Sequence, residues 1–261
     1  MISNCAFRYS VLLVGTFAVS SSSWAANDAV GQNLQQGQTI SVSVGDAQPT
    51  GTGDPAVYDS FTTATGLTTT TGTPRSVMGG GFTAAGAGPQ VDISKITVYM
   101  AATTAVSYTN VRVNIQLWDT AAAASSPVFS SAAGSLIVAD LGAVTTTANT
   151  FNAVDVALPS PIRLNSLANK GIAVSYQGDT GAGLATTDAL TSLMTYGSPV
   201  SVGTNSFNGG NGFLRNASLR SDYNFLPSDL RTFTGITDVG FGVILYGNAT
   251  VPVTLKSYSV D

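Results

Sequence analysis

Apolar and polar residues alternate along short runs of this chain, the period of two that a strand with one buried face imposes. The clearest run is Asn110-Val111-Arg112-Val113-Asn114-Ile115-Gln116-Leu117. It puts Val111, Val113, Ile115 and Leu117 on one face and only polar side chains on the other. Comparable runs occupy residues 39–44, 92–100, 151–158, 171–176, 239–246 and 251–258. With shorter candidates at 58–62, 77–82, 128–131 and 135–139, the pattern predicts about ten to twelve short strands.

Between these runs lie connectors whose Gly, Pro and Asp supply the backbone angles of turns: residues 46–54, Gly86-Ala87-Gly88-Pro89 and Gly178-Asp179-Thr180-Gly181. The best helical candidate is 186–195, and it is worth a turn or two at most. Many short strands without intervening helices predict an all-β fold, an antiparallel β-sandwich of jelly-roll-like form. No internal repeat or composition break divides it. Residues 1–25 read as a secretory signal peptide, with Arg8, an apolar stretch over 9–19 and a Ser23-Trp24-Ala25 end. Residues 26–37 lack periodicity and read as a flexible N-terminal arm, which leaves 38–261 as a single sandwich domain.

Composition narrows the chemistry. The chain has no histidine, its fourteen acidic residues are all aspartates, and its one cysteine, Cys5, departs with the leader. The usual general base near neutral pH, the usual zinc ligands and a thiol nucleophile are therefore missing from the mature chain. An exported chain without disulfides suits a bacterial envelope. The mature chain keeps nine basic residues against fourteen aspartates, a net charge of −5, which excludes nucleic acid as an expected partner. The apolar leader stretch is too short to cross a bilayer, so no membrane span is expected after cleavage. The mature surface must be rich in hydroxyl and amide groups.

Candidate catalysts are few. The lysines Lys95, Lys170 and Lys256 stand in or beside strand-like runs, and none follows a serine at the Ser-x-x-Lys spacing. Gly79-Gly80-Gly81-Phe82-Thr83-Ala84 matches a dinucleotide fingerprint in letters alone, since no helix follows to hold a phosphate. Aspartate pairs such as Asp54 with Asp59, or Asp222 with Asp229, leave a glycoside hydrolase as a distant alternative. No cofactor is expected. A structural calcium ion is the one exception the loops allow, at 178–181 or at Asp54 with Asp59.

Residues 204–234 depart most from strand patterning and read as a long loop holding Arg215, Arg220, Asp222, Tyr223, Asp229 and Arg231. Aromatic rings beside Asn, Asp and Arg are what a sugar-binding face uses, so these six are the candidate binding residues of a carbohydrate-binding module. The other reading is that the arginines pair with the aspartates to pin the loop over the sandwich. Trp118 reads as a core or rim aromatic.

The chain also resembles exported bacterial β-sandwich domains found in surface proteins with PEP-type C-terminal sorting tails. The likeness lies in Gly79-Gly80-Gly81-Phe82, Ile93-Ser94-Lys95-Ile96-Thr97-Val98, Val113-Asn114-Ile115-Gln116-Leu117-Trp118-Asp119 and Pro161-Ile162-Arg163-Leu164. It continues in Gly171-Ile172-Ala173-Val174-Ser175-Tyr176 and Phe241-Gly242-Val243-Ile244-Leu245-Tyr246-Gly247. The tail itself, with its Pro-Glu-Pro and basic end, does not follow Gly247 here. The resemblance implies a jelly-roll-like sandwich at the cell surface or in the extracellular matrix, with no catalytic residues to carry over. The expectation is thus a secreted or cell-surface, non-enzymatic, structural or adhesive protein, with extracellular polysaccharide or other envelope or matrix proteins as partners.

Overall fold

The computed structural model describes residues 35–44, 54–69, 75–86, 90–122, 128–130, 135–164, 169–187, 189–197, 200–205, 212–216, 230–232 and 239–250. The expected leader, most of the expected arm and the run at 251–258 lie outside these residues. Among the described residues every regular element is a strand. In chain order they begin β1 (Gln35–Gln36), β2 (Ile40–Ser43), β3 (Ala56–Asp59), β4 (Gly66–Thr69), β5 (Arg75–Thr83) and β6 (Gln90–Ala102). β7 (Ser107–Trp118), β8 (Thr120–Ala122), β9 (Val128–Ser130), β10 (Leu136–Thr145), β11 (Thr150–Leu164) and β12 (Lys170–Asp179) follow. The last are β13 (Ala185–Thr186), β14 (Leu190–Tyr196), β15 (Thr204–Asn205), β16 (Gly212–Asn216), β17 (Leu230–Thr232), β18 (Val239–Phe241) and β19 (Val243–Thr250).

Two sheets pack into a sandwich. In the first, β11 lies between the N-terminal strands and β6, and the far side of β6 is shared by β19 and β14. In the second the order is β10-β7-β12-β5-β16-β17. Pairing is antiparallel except for β1 and β2, which run parallel to β11. Gln35 and Gln36 therefore belong to the sheet, although the polar sequence there gives no strand signal.

The inward stripe is the one the alternation predicts. Val111, Val113, Ile115 and Leu117 on β7 face Ile96, Val98 and Met100 on β6, Val154 and Val156 on β11 and Val243 and Leu245 on β19, all fully buried in one core. Each such aliphatic side chain contributes about 1.5–3 kcal/mol on leaving water. In the run at 186–195, the best helical candidate, residues 190–195 are extended instead: they belong to β14, which sits at the end of β6 with Leu193 and Met194 buried on opposite faces. Two buried faces explain its weak period of two.

The sandwich also buries material outside that core. On the outer face of the first sheet, Phe61 stacks on Tyr99 with centroids 3.7 Å apart, and Phe151 meets both rings edge-on. Leu193 and Ile244 complete this second apolar cluster. On the outer face of the second sheet, Asn114 and Gln116 are each only 6% exposed. Their amides stay paired, Asn114 donating to Gln177 Oε1 at 3.3 Å and Gln116 to Ser135 Oγ at 2.7 Å.

Candidate functional site

The segment 204–234 is not one long loop. β15 and β16 both pair with β5, and β17 pairs with β16, so these residues extend the second sheet. Arg215 stands opposite Leu230 and Leu214 opposite Arg231, so the two arginines are not cross-strand partners of each other. Arg220, Asp222, Tyr223 and Asp229 lie outside the described residues. The sequence missed the strands here because Gly and Asn interrupt the alternation on which the reading depends.

The described aspartates are held by their own chain. Asp140 takes a two-pronged contact from Arg112 at 2.8 and 3.0 Å, and Asp92 takes another from Arg163 at 2.7 Å on both oxygens. The guanidinium hydrogen bonds hold both carboxyls below the usual range. Asp155 accepts the Thr97 hydroxyl at 2.5 Å and lies 3.9 Å from Lys95 Nζ, which itself sits 4.0 Å above the Tyr246 ring. Asp54 accepts the Ser94 hydroxyl at 2.5 Å.

Asp59 and Asp179 brace turns. Asp59 Oδ1 accepts the amides of Phe61 and Thr62 at 2.8 and 3.0 Å. Burial alone would push its carboxyl up, but the Thr62 hydroxyl, these amides and the Ser201 hydroxyl together hold it below the ordinary value. Asp179 Oδ1 accepts the amides of Gly181 and Gly183 at 2.7 and 2.9 Å, which depresses its carboxyl as well. Both positions weighed for calcium thus have carboxylate oxygens turned to their own chain, and the described residues contain no cluster of three potential metal ligands.

Lys170 is the one interior lysine among the described residues, 5% exposed, with the strand parity of the inward Ile172 and Val174. Burial pushes its ammonium below the ordinary lysine value, opposed by the charge of Asp119. Asp119 comes one step past the Gly171–Trp118 pair of the β7–β12 ladder, on the step that Lys170 occupies. The parity signal for this lysine is present in the sequence, two residues before Ile172.

A cleft of about 600 Å³ opens along the side of the sandwich where β2, the edge of the first sheet, meets β10, the edge of the second. Ile40, Leu141 and Val144 form its apolar wall, and Thr39, Thr147 and Asn152 are among its polar positions. None of the described residues lining it is ionisable. Sequence reasoning had no means of finding it, since its walls come from segments more than a hundred residues apart in the chain. No family model, curated protein or solved structure matches the chain.

Proposed function

We infer that the protein is a secreted or cell-surface, non-enzymatic β-sandwich with a structural or adhesive role in a bacterial envelope or matrix. The observation that carries this reading is the occupation of six of the seven described carboxylates. Asp54, Asp59, Asp92, Asp140, Asp155 and Asp179 each accept hydrogen bonds from their own chain. A glycoside hydrolase needs one carboxyl group kept protonated and a second poised across the scissile bond. The described aspartates whose carboxyls shift, Asp59, Asp92, Asp140 and Asp179, all shift downward, away from what a general acid requires. The likeness to exported sandwich domains with PEP-type sorting tails supports the same reading.

Surface labelling of intact source cells, together with the attachment of a deletion strain to a solid support, tests it. Antibody label on unbroken cells and weakened attachment, restored by the wild-type gene, are expected. Label only after lysis, with attachment unchanged, would overturn the reading.

A further inference from the structure

We propose that the cleft between β2 and β10 is a binding site for a neutral polysaccharide, holding a short uncharged segment of the glycan chain. The proposal rests on the adhesive reading above and names its partner. Three features of the cleft support it.

The first is its chemistry. Gln38 and Asn152 present side-chain amides, and Thr39 and Thr147 present hydroxyls, that make no hydrogen bond to any described residue. Amide and hydroxyl groups both donate and accept, as sugar hydroxyls do, whereas a carboxylate only accepts and an ammonium only donates. The same lining includes the half-buried Ile40 and Leu141 with the buried Val144, aliphatic surface that suits the C–H face of a pyranose. The volume falls within the roughly 300–1,000 Å³ that ligand sites occupy. With no ionisable group on the described lining, the site offers a uronate or sulfated glycan no countercharge.

The second is that the polar groups are positioned rather than loose. Gly37 N donates to Phe151 O at 2.7 Å, which docks the β1–β2 connector against β11. A side chain at position 37 would collide with the Asn152 carboxamide, so the glycine leaves that amide its place beside the cleft. On the other wall, Thr150 Oγ1 donates to Thr147 O at 2.7 Å, and Asn149 takes a left-handed φ of 60° in the turn between them. Asparagine tolerates that conformation better than most residues. The turn that carries Thr147 is therefore held by its own chain.

The third separates a glycan from a peptide strand, the other ligand that an open sheet edge invites. The β10 ladder slips register between Asp140 and Gly142 and again between Gly142 and Val144, and Gly142 has φ 74°. Bulges of this kind bend an edge and break the row of backbone groups on which an incoming strand would pair. The bulged stretch is the one that lines the cleft, through Leu141, Ala143 and Val144. Recognition there falls to side chains.

Affinity electrophoresis of the purified full-length protein through gels containing dextran, soluble starch, mixed-linkage β-glucan or polygalacturonate tests the proposal. Asn152→Ala, Gln38→Ala and the cleft-filling Thr39→Trp are run beside the wild type, with melting temperatures confirming that each folds. Thr39 is exposed, so its replacement does not endanger the core. The wild type is expected to be retarded by at least one neutral polysaccharide, equally at low salt and at 0.5 M NaCl, and not by polygalacturonate. Each variant should weaken that retardation about tenfold. Retardation that all three folded variants retain, or that salt abolishes, overturns the proposal, as does migration unaffected by every neutral gel. If attachment of the source cells survives in strains carrying these variants, the cleft proposal falls while the adhesive reading stands.

Discussion

Gly178 offers the sharpest test of how this sandwich is packed. It lies on β12 with ordinary backbone angles, so no left-handed conformation demands a glycine there. What demands it is Tyr108, 5% exposed, whose ring lies across the site: a methyl group built on Gly178 would stand 2.5 Å from Cδ1 and 3.1 Å from Cζ. Overpacking of this kind costs about 1–3 kcal/mol. Alanine also restricts the unfolded chain, which offsets roughly 0.4–1 kcal/mol of that loss. Gly178→Ala should therefore destabilise by about 1–2 kcal/mol, a drop of roughly 2–8 °C in Tm for a domain of this size. Tyr108→Ala alone leaves a cavity and costs about 3–5 kcal/mol. In that background the ring is gone, and Gly178→Ala should be neutral or slightly stabilising. The double-mutant cycle, measured by urea denaturation with matched m-values, should then show a coupling of about 1–3 kcal/mol. An equal penalty in both backgrounds would refute the reasoning and place the requirement in the Gly178 backbone.

Other expectations follow from the charged groups. Asp59 has a carboxyl held below its ordinary value in the folded chain, so it adds stability above the unfolded-state pKa that is lost as pH falls through the folded one. Asp59→Asn should cost about 1–3 kcal/mol at pH 7 and less at pH 3, and a penalty independent of pH would contradict the assignment. Lys170→Met should be neutral or stabilising by about 1 kcal/mol, because burial disfavours the ammonium and methionine fills a similar volume; a loss above about 2 kcal/mol would show that the Asp119 attraction wins. Asp179 serves the amides of Gly181 and Gly183, so millimolar calcium should leave Tm unchanged, and a rise of several degrees that Asp179→Asn abolishes would place an ion there.

The core was legible because burial on one face of a strand writes a period of two into the sequence: Val111 through Leu117 obey it, and Ile172, Val174 and Tyr176 keep the same inward parity although Ala173 between them is apolar and buried as well. The opposite faces were not legible. Asn114 and Gln116 have the polarity of exposed residues yet are buried, because neighbouring strands supply partners for their amides. Nor was the length of β11, which runs through Pro159 and Pro161, where a reading of propensities stops at Leu158. The β11–β6 ladder is interrupted between Ala157 and Ile162, so the prolines fall where no amide is needed. Gly242 does the reverse, splitting one apparent run into β18, beside β14, and β19, beside β6. The cleft stayed hidden for a related reason: alternation reports on one strand at a time, whereas the cleft joins two edges brought together only by the closed sandwich.

We propose that this sandwich holds extracellular glycan without transforming it. Co-sedimentation of the purified protein with an insoluble neutral polysaccharide, with reducing ends counted in the same tube, tests that claim directly. Protein in the pellet is expected, with no increase in reducing ends over the polysaccharide alone. Reducing ends that accumulate with the wild type and cease to do so in Asp222→Ala or Asp229→Ala would contradict it.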